Sequence, residues 1–295
     1  MKTKILILGA TGIFGNGLFY ELSKYPNLDV YGTTRANEGQ TYLEPKLAAK
    51  TIGLVDVENT ESLMRVFEKV GPDTVINCIG LVKHLITGDN IDQAIILDAL
   101  LPHRLVNLCK LAKARLIHFS TDCVFSGQKG NYVESDTTDA KDIYGLTKAL
   151  GEVKDDKNLT IRTSTIGHSF ENDLQLIDWF LAQPGKIKGY QKVIYSGVPT
   201  VEMGRILAEY VIPNKSLKGL YQVSADPISK YDLLQLVAKF YGKKIAIEPC
   251  EDNPSDRSLD SSRFRKAAKY SPPTWPVLIK KMFKYYQSNK NFIQY

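Results

Sequence analysis

Tyrosine and lysine stand four positions apart in Tyr144-Gly145-Leu146-Thr147-Lys148, and a pair of hydroxyls, Ser120-Thr121, precedes them in the chain. At that spacing the two side chains share one face of a helix. An ammonium beside a phenol favours the phenolate and lowers its pKa, so the pair is expected to exchange a proton near neutral pH. A Ser or Thr hydroxyl next to them would hydrogen-bond a substrate oxygen and stabilise charge developing there. Such a set moves a proton to or from a carbonyl oxygen. Taken alone, Tyr-x-x-x-Lys is also what an amphipathic surface helix presents, so the surrounding elements decide its meaning.

The hydroxyls close the run Ile117-His118-Phe119-Ser120-Thr121. It reads as the carboxyl end of a strand, the end where open α/β sheets bind ligands. Gly9-Ala10-Thr11-Gly12-Ile13-Phe14-Gly15 follows an apolar strand, Ile5 to Leu8, and opens a helix through Lys24. Glycines there permit the turn, close approach of the backbone to a pyrophosphate and tight packing of helix on strand. The spacing is G-x-x-G-x-x-G, and strand, turn, helix and second strand fall in the order that nucleotide binding requires. The second strand ends in Tyr31-Gly32-Thr33-Thr34-Arg35, with no carboxylate for a ribose 2′-hydroxyl. Arg35 would instead hold a 2′-phosphate, so NADP(H) is the expected cofactor.

Further strands are expected at Thr51–Val55, Thr74–Cys78, Arg115–Ser120 and Leu159–Thr163. Helices are expected at Glu61–Val70 (capped by Thr60), Ile91–Ala112 (bent at Pro102) and Tyr144–Asp155. The alternation predicts an α/β fold, a Rossmann-type doubly wound parallel sheet with a smaller C-terminal substrate-binding lobe. Residues 1–165 read as the NADP-binding domain and 166–295 mostly as the lobe, with a segment near 198–212 returning to the first.

The 295 residues include 38 Lys+Arg and 32 Asp+Glu, a formal charge of +6, with 43% hydrophobic and 24% charged residues. That balance excludes wholesale disorder. Its dispersed lysines lack the dense stripe of a nucleic-acid binder, although an anionic small molecule suits them. Cys78, Cys109, Cys123 and Cys250 form no C-x-x-C pair, so reduced thiols are expected, with neither a disulfide framework nor a metal site. With no signal-peptide pattern and no membrane-length apolar run, a cytoplasmic location is expected.

Ser120-Thr121-Asp122-Cys123-Val124-Phe125-Ser126-Gly127 and Tyr144-Gly145-Leu146-Thr147-Lys148-Ala149-Leu150-Gly151-Glu152 together resemble the extended short-chain dehydrogenase/reductase family. Within it they look most like dTDP-4-dehydrorhamnose reductase and its relatives. The resemblance covers most of the chain, including Asp56-Val57, Pro199-Thr200 and Arg257-Ser258-Leu259-Asp260. It implies NADPH-dependent reduction of the C4 ketone of a nucleotide-linked 4-keto-6-deoxy sugar. Thr121 would be the catalytic hydroxyl, Tyr144 the proton donor and Lys148 its partner on the nicotinamide ribose. Gly9, Thr11, Gly12, Ile13, Phe14, Gly15, Arg35, Asp56, Val57, Cys78, Ile79 and Gly80 would line the cofactor, with Asp56 and Val57 flanking adenine.

The chain departs from the reductase pattern at Cys123, where tyrosine is usual. Plant-type bifunctional rhamnose synthases resemble it in having cysteine there, which implies C3 epimerisation with Cys123 as one acid/base. A small thiol filling space is the alternative. His168, Lys186 and Lys188 are candidates for the second acid/base. Val30 to Arg35 and Asn77 to Lys83 are most similar to a subgroup acting on UDP-2-acetamido-2,6-dideoxy-hexos-4-uloses, towards UDP-N-acetyl-L-rhamnosamine. Lys83, His84 and His168 would meet the sugar or its phosphates, and Arg257 or Arg263 would clamp the diphosphate. Trp179 and Phe180 read as core.

Three other readings stand beside this one. The first is dTDP-4-dehydrorhamnose reductase itself. The second is an NADP-binding regulatory subunit without turnover, as the methionine adenosyltransferase beta subunit resembles the same reductases. The third is a dehydratase or epimerase recycling NAD, against which Arg35 speaks. A homodimer is compatible with the resemblance.

Overall fold

Apolar residues in the first strand, β1 (Thr3–Leu8), alternate between two faces: Ile5 and Ile7 enter one buried cluster, Leu6 and Leu8 another. A strand buried on both faces needs helices above and below, which parallel crossovers supply. The computed structural model describes residues 1–37, 41, 43–169 and 175–292.

After β1 come α1 (Ile13–Leu22), β2 (Leu28–Thr33), α2 (Pro45–Ala48), β3 (Thr51–Ile52), α3 (Thr60–Val70) and β4 (Thr74–Asn77). Then follow α4 (Ile91–Ala94), α5 (Leu101–Leu111), β5 (Arg115–Thr121), α6 (Ile143–Leu150), β6 (Leu159–Thr163), β7 (Thr165–Ile166) and α7 (Leu176–Ala182). The remainder begins with β8 (Lys186–Tyr190), β9 (Val193–Tyr195), β10 (Val198–Pro199), α8 (Thr200–Ile206), β11 (Gly219–Gln222) and β12 (Ile228–Ser229). It ends with α9 (Lys230–Tyr241), β13 (Ala246–Cys250), β14 (Ser255–Asp256), α10 (Ser262–Ala268) and α11 (Trp275–Asn289).

The central sheet is parallel throughout, in the order β11-β6-β5-β4-β1-β2-β3. This is the Rossmann-type doubly wound fold. Strand order reverses between β1 and β4, so the loops leaving those strands diverge and open a crevice at their carboxyl ends. The edge strand β11 comes from well beyond residue 165. One face carries α1, α8, α9 and α11 over Ile5, Ile7, Ile117 and Ile161; the other carries α3 and α5 over Leu6, Leu8, Val75 and Leu116. Within the 198–212 stretch, α8 packs on α1 so closely that a Cβ on Gly17 would meet Thr200, and one on Gly204 would meet Glu21.

Several local expectations change, and the third strand ends at Ile52, not Val55. Asn59, not Thr60, caps α3, because its side chain accepts the Ser62 N–H at 3.1 Å. The helical stretch from Ile91 is interrupted before Pro102: Ile95–Leu100 widens into a π turn in which the Leu101 N–H reaches back to Ile96 O. Pro102, with no N–H of its own, then opens the next α segment at a position that needs none. The helix bearing Tyr144 stops at Leu150, not Asp155, with Gly151 as its C-cap.

The rest of the chain builds small sheets beyond the carboxyl ends of the central strands. They are β12-β9-β14, the pair β13-β8 and the pair β10-β7. Phe180 is fully buried, as expected of core, but Trp179 is 39% exposed. Among the described residues, no helix is long and apolar enough to cross a membrane.

Candidate active site

The glycine turn sits at the reversal point of the sheet. Gly9 has φ +83°, and a Cβ on Gly15 would lie 1.9 Å from the Gly9 carbonyl oxygen, so α1 can start directly against the loop only with glycine there. Gly12 caps α1 with no side chain over its first turn, which leaves N–H groups and the positive helix end facing outward. A cavity of about 670 Å³ runs from Gly9, Thr11 and Gly12 past Thr33 and Arg35 to Asp56, Val57, Cys78, Ile79 and Gly80. Ile13 and Phe14 line the adjoining space, while Gly15 is buried beneath the loop. Arg35 is exposed and forms no ion pair with any described residue. A long cleft, a bare helix start and an exposed guanidinium fit a phosphorylated dinucleotide.

β5 delivers the hydroxyls. Adjacent strand residues face opposite ways, which separates Ser120 from Thr121. The Ser120 hydroxyl donates to Glu152 Oε1 at 2.9 Å, and Glu152 also receives Arg162 Nε at 2.5 Å and Nη2 at 2.8 Å, all of them buried. Thr121 Oγ1 accepts the Cys123 N–H at 3.1 Å and lines the cavity with Tyr144 and Lys148. Both residues line the cavity, but the Ser120 hydroxyl is committed to Glu152 behind the strand, which leaves Thr121 as the candidate hydroxyl. Asp142 caps α6, accepting the Gly145 N–H at 3.0 Å. A Cβ on Gly145 would fall 2.4 Å from the Cys123 carbonyl oxygen. This close approach sets Tyr144 beside Thr121 and Cys123.

The electrostatics correct one expectation: Lys148 does not bring the Tyr144 phenol down. Burial pushes the Tyr144 pKa well up, Cys123 adds to that, and only Thr121 opposes it noticeably. Lys148 is itself buried, its pKa lowered by desolvation, and its Nζ donates to Phe119 O at 2.8 Å. Its nearest anion is Asp98 Oδ1 at 3.9 Å. Asp98 lies in the π turn with no exposed surface, and burial lifts its pKa to about 6 against the pull of Lys148. A Cβ on Gly80 would stand 2.5 Å from Asp98 Oδ1, so the carboxylate fits only beneath a glycine.

A second cavity, of about 220 Å³, opens past Cys123 towards the C-terminal half; Asp122, Tyr195, Lys230 and Arg257 line it. Arg257 is anchored by donating Nε to Phe125 O at 2.9 Å. Arg263 is not part of this site: it donates to Leu220 O at 3.0 Å and lies over the Tyr221 ring. His168 is no substrate contact either. It is fully buried, Nδ1 lying 2.5 Å from Asp178 Oδ1 and Nε2 2.7 Å from the Tyr241 hydroxyl. Its carbonyl accepts from Asn16, whose Oδ1 in turn accepts the Tyr285 hydroxyl, so this knot braces the first turns of α1. Lys186 and Lys188 are exposed on β8 and paired with Glu248 and Asp252. Lys83 and His84 border the central cavity, with Lys83 Nζ 2.8 Å from Asp142.

Sequence reasoning missed Asp98 and Lys230. The first lies on a helix whose apolar period gave no reason to single out one aspartate, and the second in a segment with no motif at all.

Over residues 3–288 the chain matches the family model described as RmlD substrate binding domain. It is 27% identical over 256 residues to the spore coat polysaccharide biosynthesis protein SpsK of Bacillus subtilis (strain 168), covering 83% of this chain and 82% of that protein. It is 31% identical over 154 residues to dTDP-4-dehydrorhamnose reductase of Mycolicibacterium smegmatis, covering 52% of this chain and 41% of that one. The crystal structure of dTDP-4-dehydrorhamnose reductase from Bacillus anthracis str. Ames in complex with NADP has the same fold. It gives a TM-score of 0.78 at 21% identity and covers 97% of this chain and 100% of that chain. With the model spanning nearly its whole length, the chain belongs to the RmlD substrate binding domain family.

Proposed function

We propose that the protein is an NADPH-dependent reductase of the C4 ketone of a nucleotide-linked 4-keto-6-deoxy sugar. The favoured substrate is a UDP-2-acetamido-2,6-dideoxy-hexos-4-ulose, epimerised at C3 before reduction. The observation that carries the reading is the convergence of Thr121, Tyr144 and Lys148 between a dinucleotide-sized cleft and a smaller cavity holding Arg257. Relatives named as dTDP-4-dehydrorhamnose reductases, one of them solved with NADP, support the reaction class.

NADPH, when bound, supplies the hydride. The chain's own residues supply the proton and the orientation. Burial keeps the Tyr144 phenol protonated at rest, which is the form that can donate to an alkoxide as it develops on the sugar O4. Thr121 Oγ1 directs a hydrogen bond to the same oxygen and holds it near the phenol. The Lys148 ammonium, held by Phe119 O and Asp98, lines the same cavity and would bind the nicotinamide ribose. Arg35 would take the 2′-phosphate and Arg257 the diphosphate of the sugar nucleotide.

The test is to mix the protein with NADPH and enzymatically generated UDP-2-acetamido-4-keto-6-deoxy-hexose in D2O, following NADPH absorbance and sugar mass. NADPH oxidation with deuterium at C3 is expected. Oxidation without deuterium leaves a simple 4-reductase. No oxidation with this sugar, its dTDP counterpart or non-acetamido analogues refutes the reading.

A further inference from the structure

C3 epimerisation needs two proton carriers, one on each face of the sugar ring. The candidates expected from sequence do not serve: His168 is sealed in the Asp178–Tyr241 knot, and Lys186 and Lys188 point into solvent against carboxylates. We propose that Lys230 is the second acid/base, working with Cys123 across the sugar cavity. The inference rests on the epimerising form of the function proposed above.

Lys230 is the first residue of α9 and lines the same cavity as Cys123, Asp122 and Arg257. Its ammonium makes no hydrogen bond or salt bridge to any described residue, in contrast to Lys83, Lys186, Lys188 and Lys192, which all pair with carboxylates. Burial lowers its pKa and the neighbouring Arg257 pushes the same way, while Asp122 and Cys123 oppose. A place in the first turn of a helix further disfavours its charge. The Cys123 thiol goes the other way, pushed up to about 12 by burial and by Asp122. One cavity therefore holds an unpaired amine whose charged form burial disfavours and a thiol that keeps its proton. A base and an acid of those kinds are what inversion at a carbon beside a ketone requires.

The step balances without any redox partner. Lys230 Nζ takes the C3 proton, and the C–H electron pair moves into the C3–C4 bond as the C4 carbonyl becomes an enolate. The enolate oxygen lies where the Tyr144 and Thr121 hydroxyls can hydrogen-bond it. The Cys123 S–H then protonates C3 from the opposite face and its electron pair stays on sulfur as thiolate. Proton return from the Lys230 ammonium to the thiolate restores both groups. Carbon C3 is inverted and nothing is oxidised or reduced.

The probe is UDP-2-acetamido-2,6-dideoxy-hexos-4-ulose in D2O with NADP+, reading deuterium and configuration at C3. Lys230→Met and Lys230→Arg should both slow exchange by roughly 100-fold or more. NADPH affinity should stay within about twofold, which shows that the variants are folded. Arginine keeps the charge and cannot give it up, so exchange retained in Lys230→Arg would make Lys230 a binding cation and overturn the proposal. Cys123→Ala should keep exchange, since the amine still takes and returns solvent deuterons, but lose inversion. Inversion surviving in Cys123→Ala would also overturn it. Wild-type protein that oxidises NADPH with the sugar yet exchanges nothing at C3 refutes this pair and leaves 4-reduction standing. Failure of both would refute the underlying function.

Discussion

Glu152→Gln is the perturbation that tests whether the catalytic strand is held by a buried ion pair behind it. Glu152 and Arg162 are each 1% exposed at the side chain, joined by bonds of 2.5 and 2.8 Å, and Arg162 also lies over the Phe125 ring. Glutamine keeps the size but strands the guanidinium as an uncompensated buried charge, which costs about 3–5 kcal/mol. For a chain of this length each kcal/mol lowers Tm by about 2 °C, so a fall of roughly 6–10 °C is expected in thermal unfolding. The Ser120 hydroxyl then donates to an amide oxygen in place of a carboxylate, a weaker bond, and the restraint on the end of β5 that carries Thr121 is loosened. Turnover at a temperature where the variant is folded should therefore fall further than NADPH affinity does. The second arm is Glu152→Gln/Arg162→Met, which removes both charges and should recover most of the lost stability. A single variant within about 1 kcal/mol of wild type, or a double variant no better than the single, would refute the idea that pairing holds this strand.

Tyr144→Phe should cut NADPH oxidation by roughly 100- to 10,000-fold while cofactor binding, read by fluorescence, survives; unchanged turnover would point to a subunit that only binds. Arg35→Ala should weaken NADPH by about 1.5–3 kcal/mol, a loss of roughly 10- to 150-fold, and leave NADH affinity alone; equal losses for both would remove Arg35 from the 2′-phosphate. Asp98, with its pKa raised from 3.8 to about 6, binds its proton more tightly folded than unfolded. Its burial thus favours the fold below about pH 4 and erodes stability as pH rises through 6. Asp98→Asn should exceed wild type in stability at pH 7.5 by roughly 1–3 kcal/mol and lose that advantage near pH 4. A pH-independent difference would show that ionisation is not its cause.

Local signals were the legible ones. The strand–glycine turn–helix unit at Leu8 to Gly15, the hydroxyls closing β5 and the Tyr144–Lys148 pair each depend on residues adjacent in sequence, and period and spacing reveal such units. The parallel sheet followed from their alternation. Helix ends were less legible because they turn on single hydrogen bonds: Asn59 caps α3 through one contact to Ser62. Choosing between Arg257 and Arg263 needed the third dimension. Both lie in one polar segment, yet Arg257 follows β14 into the cavity, while Arg263 rides on α10 towards the outer edge strand.

The largest error, the direction of the Tyr144 pKa, has a physical source. Sequence spacing places an ammonium near a phenol but carries no information about desolvation, and inside this cavity desolvation dominates. The same burial lowers the Lys148 pKa and raises that of Asp98, so the three groups share one dry environment in which each resists its charged form. That suits reduction better than a preformed phenolate would. In the proposed reaction a protonated Tyr144 would give its proton as the alkoxide appears. Asp98 was invisible in the sequence because its importance comes from Gly80 and Lys148, residues that only the meeting of three elements brings against it. Lys230 was invisible for the same reason: it shares no motif with Cys123, only a cavity.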